Sequence, residues 1–195
     1  MSDLALRCVR LDESSAAAAA ALFERESNPC YCRYQHFDGD KNAWLARLFH
    51  EPHENEREFL AMASDTRLSG VVALAEDGSA LGWMKIMEHH ALRKLYDHRL
   101  YRGLPCFGGP REGVFTVGCF FVGERFRRRG VARALLREGL AQVRAEGGSA
   151  VEAFPRGAES VPDSELLTGP VALFLREGFE VVNDFHPYPV LRLKL

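Results

Sequence analysis

Four arginines within five residues, Arg125, Arg127, Arg128 and Arg129, stand between an apolar run ending at Val122 and a glycine, Gly130, where a helical pattern begins. Arg133 follows almost one turn later. Guanidinium groups present planar donors suited to phosphate oxygens. The first amides of a helix point out of its N-terminus with the positive end of the dipole behind them, which makes an anion site. Glycine at such a junction lets an anion approach the main chain without meeting a side chain. The chemistry these residues offer is phosphate recognition, and a diphosphate suits it better than a lone carboxylate. Two blander readings compete: a solvated basic face, or a nucleic-acid patch whose affinity would fall steeply with salt. The apolar strand before the arginines and the helix after them favour phosphate binding.

The cysteines give a second set of reactive candidates. Cys119 lies in an apolar strand, where a thiol is either an acyl-carrying nucleophile or, more commonly, a small packing residue. Cys30-Tyr31-Cys32 with His36 lacks the paired spacing of a zinc site, so no metal is expected. Five cysteines (8, 30, 32, 106 and 119) are an odd number in a chain of 195 residues, which predicts reduced thiols rather than a disulfide framework.

The elements that must position these residues follow from periodicity. Alternation over Leu4 to Leu11 predicts a first strand, and Asp12 and Ser14 can cap an alanine-rich helix that runs to Arg25 and stops at Asn28-Pro29. Trp44, Leu45, Leu48 and Phe49 mark one helix and Glu56 to Ala63 another. Val71–Ala75 and Leu81–Met87 flank Asp77-Gly78 as a hairpin. His89 to Tyr101 has near-helical spacing, Val114 to Val122 reads as a strand buried on both faces, and Gly118 inside it marks a bulge. Gly130 to Glu146 is strongly amphipathic and ends at Gly147-Gly148. A strand at Ala150–Phe154, a helix at Val171–Glu177 and strands at Phe179–Asp184 and Tyr188–Leu195 complete an α/β pattern.

With 47% hydrophobic and 27% charged residues there is ample core for a single domain over 1–195. The formal net charge of −2 provides no bulk field for nucleic acid or an anionic membrane. Nothing at the N-terminus reads as a signal peptide, and the alanine run at 16–21 is too short to span a bilayer, so a cytoplasmic location is expected.

Val122, Arg127, Gly130 and Ala132 together resemble the acetyl-CoA motif of the GNAT (GCN5-related N-acetyltransferase) superfamily: a strand ending in valine, then Arg/Gln-x-x-Gly-x-Gly/Ala at the head of a long helix. Leu173-Phe-Leu-Arg-Glu-Gly-Phe179 resembles the family's last helix and its exit. Leu81-Gly-Trp83, Cys119-Phe-Phe-Val122 and Val151-Glu-Ala-Phe-Pro155 are similar to a bacterial branch. The resemblance implies a mixed, largely antiparallel sheet of about seven strands, flanked by helices and splayed at the acyl-CoA site. It implies acetyl-CoA as co-substrate, held by Phe120, Phe121 and Val122 along the pantetheine arm and by Arg127, Arg128, Arg129, Gly130, Val131, Ala132 and Arg133 at the diphosphate. It also implies that the Gly118 bulge aims an amide beside Cys119 at the thioester carbonyl. Phe174 stands where many members carry a tyrosine acid, so it is expected beside the cofactor without supplying a proton.

Acetyl transfer needs a neutral amine, so a base or a water wire must take a proton. Glu152, on the opposite face of its strand from Val151 and Ala153, is the first candidate, with an ordinary exposed glutamate or a salt bridge as an equal reading. Glu88, beside His89 and His90, is the second, and Glu112 and Thr116 follow. Family analogy and aromatic density place Tyr31, Tyr34, His36 and Trp83 at the acceptor, with the helical segment 26–66 as its cover. Thr168 and the loop from Gly157 to Leu167 are further candidates for the pocket. The expected acceptor is a primary amine of a small molecule or peptide, with no nucleic-acid or membrane partner and a homodimer left open. The rival reading is an acyl-CoA-binding regulatory module of the same fold.

Overall fold

The structure, a computed structural model, describes residues 5–157 and 167–195. Most of the expected pocket loop, and Leu4 of the expected first strand, lie outside the described residues. Strand β1 (Arg7–Arg10) leads to helix α1 (Glu13–Arg25), where Asp12 and Ser15 form a reciprocal cap with both bonds at 2.8 Å. Helix α2 (Lys41–His50) is capped by Asp40, and α3 (Pro52–Ala61) starts with proline at its first turn. Strands β2 (Gly70–Leu74) and β3 (Ala80–Glu88) form the hairpin expected around Asp77-Gly78, with Gly78 at φ +83°. A single turn, α4 (Arg93–Tyr96), precedes β4 (Val114–Val122). Helix α5 (Val131–Ala145), β5 (Ala150–Ala153), α6 (Val171–Arg176), β6 (Glu180–Asn183) and β7 (Val190–Lys194) follow.

The seven strands make one sheet in the order β1-β2-β3-β4-β5-β7-β6. Only β4 and β5 pair in parallel; the other neighbours are antiparallel. Helix α5 buries Val131, Leu135, Leu136, Leu140 and Val143 against one face of the sheet. Helices α1 and α3 pack Leu22, Phe23 and Phe59 on the other, against Val72, Trp83 and Phe121. Among the described residues no helix is long and apolar enough to cross a membrane.

The expected helix from His89 to Tyr101 is replaced by a 3-10 turn, the four-residue α4 and a chain of turns. Of its periodic residues, Leu92 and Leu95 are nevertheless buried, and Tyr96 and Leu100 are partly so. Leu92 lies under the β4 bulge and Tyr96 is drawn into a buried polar network, so tertiary contacts rather than helical hydrogen bonds set the backbone. The cysteine expectation is corrected as well: Cys32 and Cys119 are joined as a disulfide, whereas Cys8, Cys30 and Cys106 are free.

Candidate active site

The junction between β4 and α5 is built around two left-handed residues, Arg128 (φ +59°) and Gly130 (φ +86°). The reversed turn makes Gly130 the N-cap of α5 without any side-chain cap. The first backbone bond of the helix runs from the Ala134 amide to the Gly130 carbonyl at 3.0 Å. The amides of Val131, Ala132 and Arg133 therefore have no acceptor within their own helix. A Cβ built on Gly130 would meet no atom within 4 Å, so the space before this row of amides is open. Gly82 lets the helix come close to β3: a Cβ there would stand 2.9 Å from Val131 Cγ1.

Along β4 the sheet opens. Residues 114–117 pair with 150–153 of β5, and the pairing stops at Val117 and Ala153. Beyond that point the β4 edge faces a gap, where the Phe120 amide donates to the Leu167 carbonyl at 2.6 Å. A cavity of about 460 Å³ runs from this edge to the helix start. Phe120, Phe121, Val122, Arg127, Arg128, Gly130, Val131, Ala132 and Arg133 line it, joined from α6 by Ala172, Leu173 and Arg176. Arg127 Nε donates to the Val122 carbonyl at 3.2 Å, which folds the loop back on the strand. Arg133 and Arg137 share Glu177, tying α5 to the end of α6. Two of the residues expected at the cofactor do not line this cavity. Arg129 is exposed, and Phe174 points into the core between Phe120 and Phe179.

At Gly118 the β3–β4 register slips, from Lys85 opposite Cys119 to Ile86 opposite Val117. A Cβ on Gly118 would press on Leu92 at 3.1 Å and on the Lys85 side chain at 3.2 Å. Lys85 is fully buried, and its ammonium donates to the Cys32 carbonyl. Burial, reinforced by Arg33, pulls its pKa down to about 7. His36 is pushed down to about 3 by burial and by the charges of Lys85 and Arg33, so it is neutral. Its Nε2 has no hydrogen-bond partner among the described residues. Lys85 escaped the sequence reading, although a lone lysine inside Leu81-Gly-Trp-Met-Lys-Ile-Met87 is a visible signal.

The remaining candidates scatter. Glu152 is not a solvent-facing base: it is completely buried, between register partners Thr116 and Arg192. Arg111 binds both carboxylate oxygens at 2.9 Å, Arg192 Nε donates at 3.0 Å, and the Tyr96 hydroxyl donates at 2.5 Å. Burial alone would raise its pKa, but these donors outweigh it and hold the carboxyl below its ordinary range. A carboxylate so saturated is a poor proton acceptor. Cys119, with its sulfur bonded to Cys32, is not a free nucleophile. Glu88 is partly exposed, 3.3 Å from His90 and opposite Phe115. Glu112 is exposed and Thr116 is buried.

Trp83 does not reach an acceptor pocket. It is fully buried against Phe59 and closes over Gly70. Tyr31 packs on Phe23 and lines a separate cavity of about 390 Å³ with Glu24 and Glu56. Tyr34 is exposed, stacked edge-on to Trp44 and under the Lys94 ammonium. Thr168 is half-buried beside the Leu167 contact. No group of three or more His, Cys, Asp or Glu among the described residues is placed to hold a metal ion.

A bulged central strand, a neighbour that parts from it, and an open helix start at the gap define a mixed α/β fold with an anion-binding cleft beside its central strand. The family model described as Acetyltransferase (GNAT) family matches residues 19–160, and the chain belongs to that family. Comparison with curated proteins gives no match. Solved structures share the fold at low identity. The PaiA N-acetyltransferase from Thermoplasma acidophilum in complex with coenzyme A is 9% identical, with a TM-score of 0.58 over 98% of this chain and 99% of its own. A GCN5-related N-acetyltransferase from Kribbella flavida is 18% identical, with a TM-score of 0.58 over the whole of both chains. A GNAT acetyltransferase from Brucella melitensis in complex with acetyl-CoA is 18% identical, with a TM-score of 0.53 over 98% of this chain and 89% of its own.

Proposed function

We propose that this protein transfers an acetyl group from acetyl-CoA to a primary amine of a small molecule or peptide by direct attack. The observation that carries the reading is the continuity of the β4 edge, released from β5 beyond Val117, with the open amide row of α5. Main-chain groups of Phe120 to Val122 suit an amide-bearing arm laid along the strand, and the amides of Val131 to Arg133 suit a diphosphate. Arg127, Arg128, Arg133 and Arg176 add positive charge on the same cavity wall. Acetyl-CoA supplies the activated thioester. The chain supplies position, and a main-chain donor at the Gly118 bulge meets the carbonyl oxygen as it gains charge. Glu152 serves here as a positioning residue: one residue before the last β4–β5 pair, its carboxylate ties β5 to Arg192 of β7 and, through the Tyr96 hydroxyl, to Thr116 of β4. Glu88, the more accessible carboxylate, takes the amine's proton through solvent. The segment 26–66 covers the acceptor side.

Gly130→Glu tests this reading. The substitution puts a negative charge before the amides and a side chain on a left-handed residue. Calorimetric affinity for acetyl-CoA is expected to fall by at least roughly a hundredfold, about 2.7 kcal/mol. Gly130→Ala, which meets open space and bears only the backbone strain, separates charge from conformation. Undiminished affinity in Gly130→Glu would overturn the assignment. Tight binding without thiol release across a broad amine panel would leave only a binding module.

A further inference from the structure

Cys32 belongs to the loop between α1 and α2, and Cys119 is the residue after the Gly118 bulge in the middle of β4. Their bond spans a sequence separation of 87 residues and ties the cover of the acceptor side to the strand that carries the proposed oxyanion donor. The same loop residue is held a second way, because the Cys32 carbonyl accepts from the buried Lys85 ammonium. Tyr31 and Cys32 both adopt left-handed backbone, at φ +45° and +52°. For non-glycine residues such conformations persist only where the surroundings over-determine them. The loop's flanks are anchored separately, by Asn55 on the Pro29 carbonyl at 2.9 Å, Arg33 on Glu58 at 3.0 Å and Lys94 on the Phe37 carbonyl at 2.6 Å, so cutting the disulfide gives the strained Tyr31–Cys32 turn between them a second arrangement. The fold does not depend on the bond: both faces of the sheet carry extensive apolar cores, and three cysteines remain free, so this is no disulfide framework. Cys30, partly exposed and two residues from Cys32, gives exchange chemistry a thiol at the solvent side.

We propose that Cys32 and Cys119 form a reversible thiol–disulfide site that latches the 27–37 loop onto the β4 bulge, with dithiols and low-molecular-weight disulfides as its exchange partners. In the opening direction a dithiol's thiolate attacks one sulfur of the Cys32–Cys119 bond and forms a mixed disulfide. Its second thiolate then closes a cyclic disulfide. The two protein sulfurs leave with two electrons and take up two protons, and the dithiol is oxidised by the same two electrons. In the closing direction a small disulfide is reduced to two thiols while the protein bond forms. The consequence for acyl transfer rests on the proposed function, since the latch governs the acceptor side. The acetyl-CoA cavity on the other side of the bulge is lined by neither cysteine.

The test uses the full chain after equilibration with oxidised glutathione or with dithiothreitol. Alkylation under denaturing conditions, read by mass spectrometry, is expected to leave Cys32 and Cys119 joined and unlabelled in the oxidised sample, with Cys8, Cys30 and Cys106 alkylated or carrying glutathione, and to label all five cysteines in the reduced one. Hydrogen–deuterium exchange of peptides covering 27–37 is expected to quicken by roughly tenfold or more on reduction, because loop opening no longer strains a cross-link. Cys32→Ser should exchange at the fast rate under both conditions. Five labelled cysteines in the oxidised sample would overturn the proposal, as would equal exchange rates in samples whose thiol counts differ. Calorimetric acetyl-CoA affinity, measured in parallel, should be the same in both redox states. Its absence in both would sink the acetyltransferase reading and leave the thiol result standing.

Discussion

Two ionisable side chains inside the sheet illustrate how partners decide the sign of a buried charge. Glu152 receives hydrogen bonds from Tyr96, Arg111 and Arg192, so its carboxylate is stabilised below its ordinary pKa despite burial. Removing that charge leaves two guanidinium groups facing a neutral amide. Glu152→Gln should lower the unfolding free energy by about 3–5 kcal/mol at pH 7. A group with a depressed acidic pKa contributes stability above its unfolded value of 4.5 and loses it as pH falls through the folded value. The gap between wild type and variant in urea unfolding should therefore shrink as pH drops below 4.5, and a constant gap would contradict the pairing. Lys85 is the opposite case, with one carbonyl acceptor and Arg33 nearby. Its pKa falls from 10.5 to about 7, so between those values the unfolded chain binds the extra proton. Stability then rises with pH across that window. Wild type should gain on Lys85→Met by a few kcal/mol between pH 7 and 10 in parallel urea titrations. A flat difference would mean the ammonium is solvated.

At the scale of elements, helix α5 is aimed by its neighbours. Its apolar face rests on β3, and Gly82 admits Val131, the first residue of the helix, to within contact of the strand. A methyl group at Gly82 would stand 2.9 Å from Val131 Cγ1 and 3.2 Å from the Phe121 carbonyl, neither of which yields easily. Gly82→Ala should cost about 1–3 kcal/mol of stability from overpacking. By shifting the amide row it should also weaken acetyl-CoA binding by roughly tenfold, about 1.4 kcal/mol. Calorimetry with denaturant melts would refute this aiming role if stability fell and affinity did not. Helix α5 was legible because its apolar spacing is periodic, and the β2–β3 hairpin because Asp77-Gly78 demands a tight turn. Local chemistry writes both signals. The surroundings of Glu152 were not legible, since Arg111 and Arg192 come from 41 and 40 residues away. The Cys32–Cys119 bond was hidden for the same reason, because only the assembled sheet brings the loop to the bulge. The segment 89–101 misled because its spacing reflects tertiary packing, of Leu92 on the β4 bulge and of Leu95 and Tyr101 on Phe154 and Val190, rather than a continuous helix.

For the molecule as a whole, the proposed cofactor site has a thermodynamic consequence that needs no acceptor. The cavity is formed by strand β4, helices α5 and α6 and the turn between β4 and α5, elements brought together only by folding. The unfolded chain presents no such row of amides, so acetyl-CoA should bind the native state alone and stabilise it by mass action. At a hundredfold excess over Kd the gain is about 2.7 kcal/mol. For a chain of 195 residues this corresponds to a rise in Tm of about 5–10 °C. Coenzyme A without its acetyl group should produce a comparable rise, because the diphosphate and the pantetheine arm make the proposed contacts. Acetate should produce none. The Gly130→Glu variant should melt at one temperature with or without ligand, even if its unliganded Tm differs from wild type. Differential scanning calorimetry at fixed ionic strength reads all four conditions. A wild-type Tm indifferent to acetyl-CoA would mean that the open helix start, for all its positive charge, does not hold the carrier.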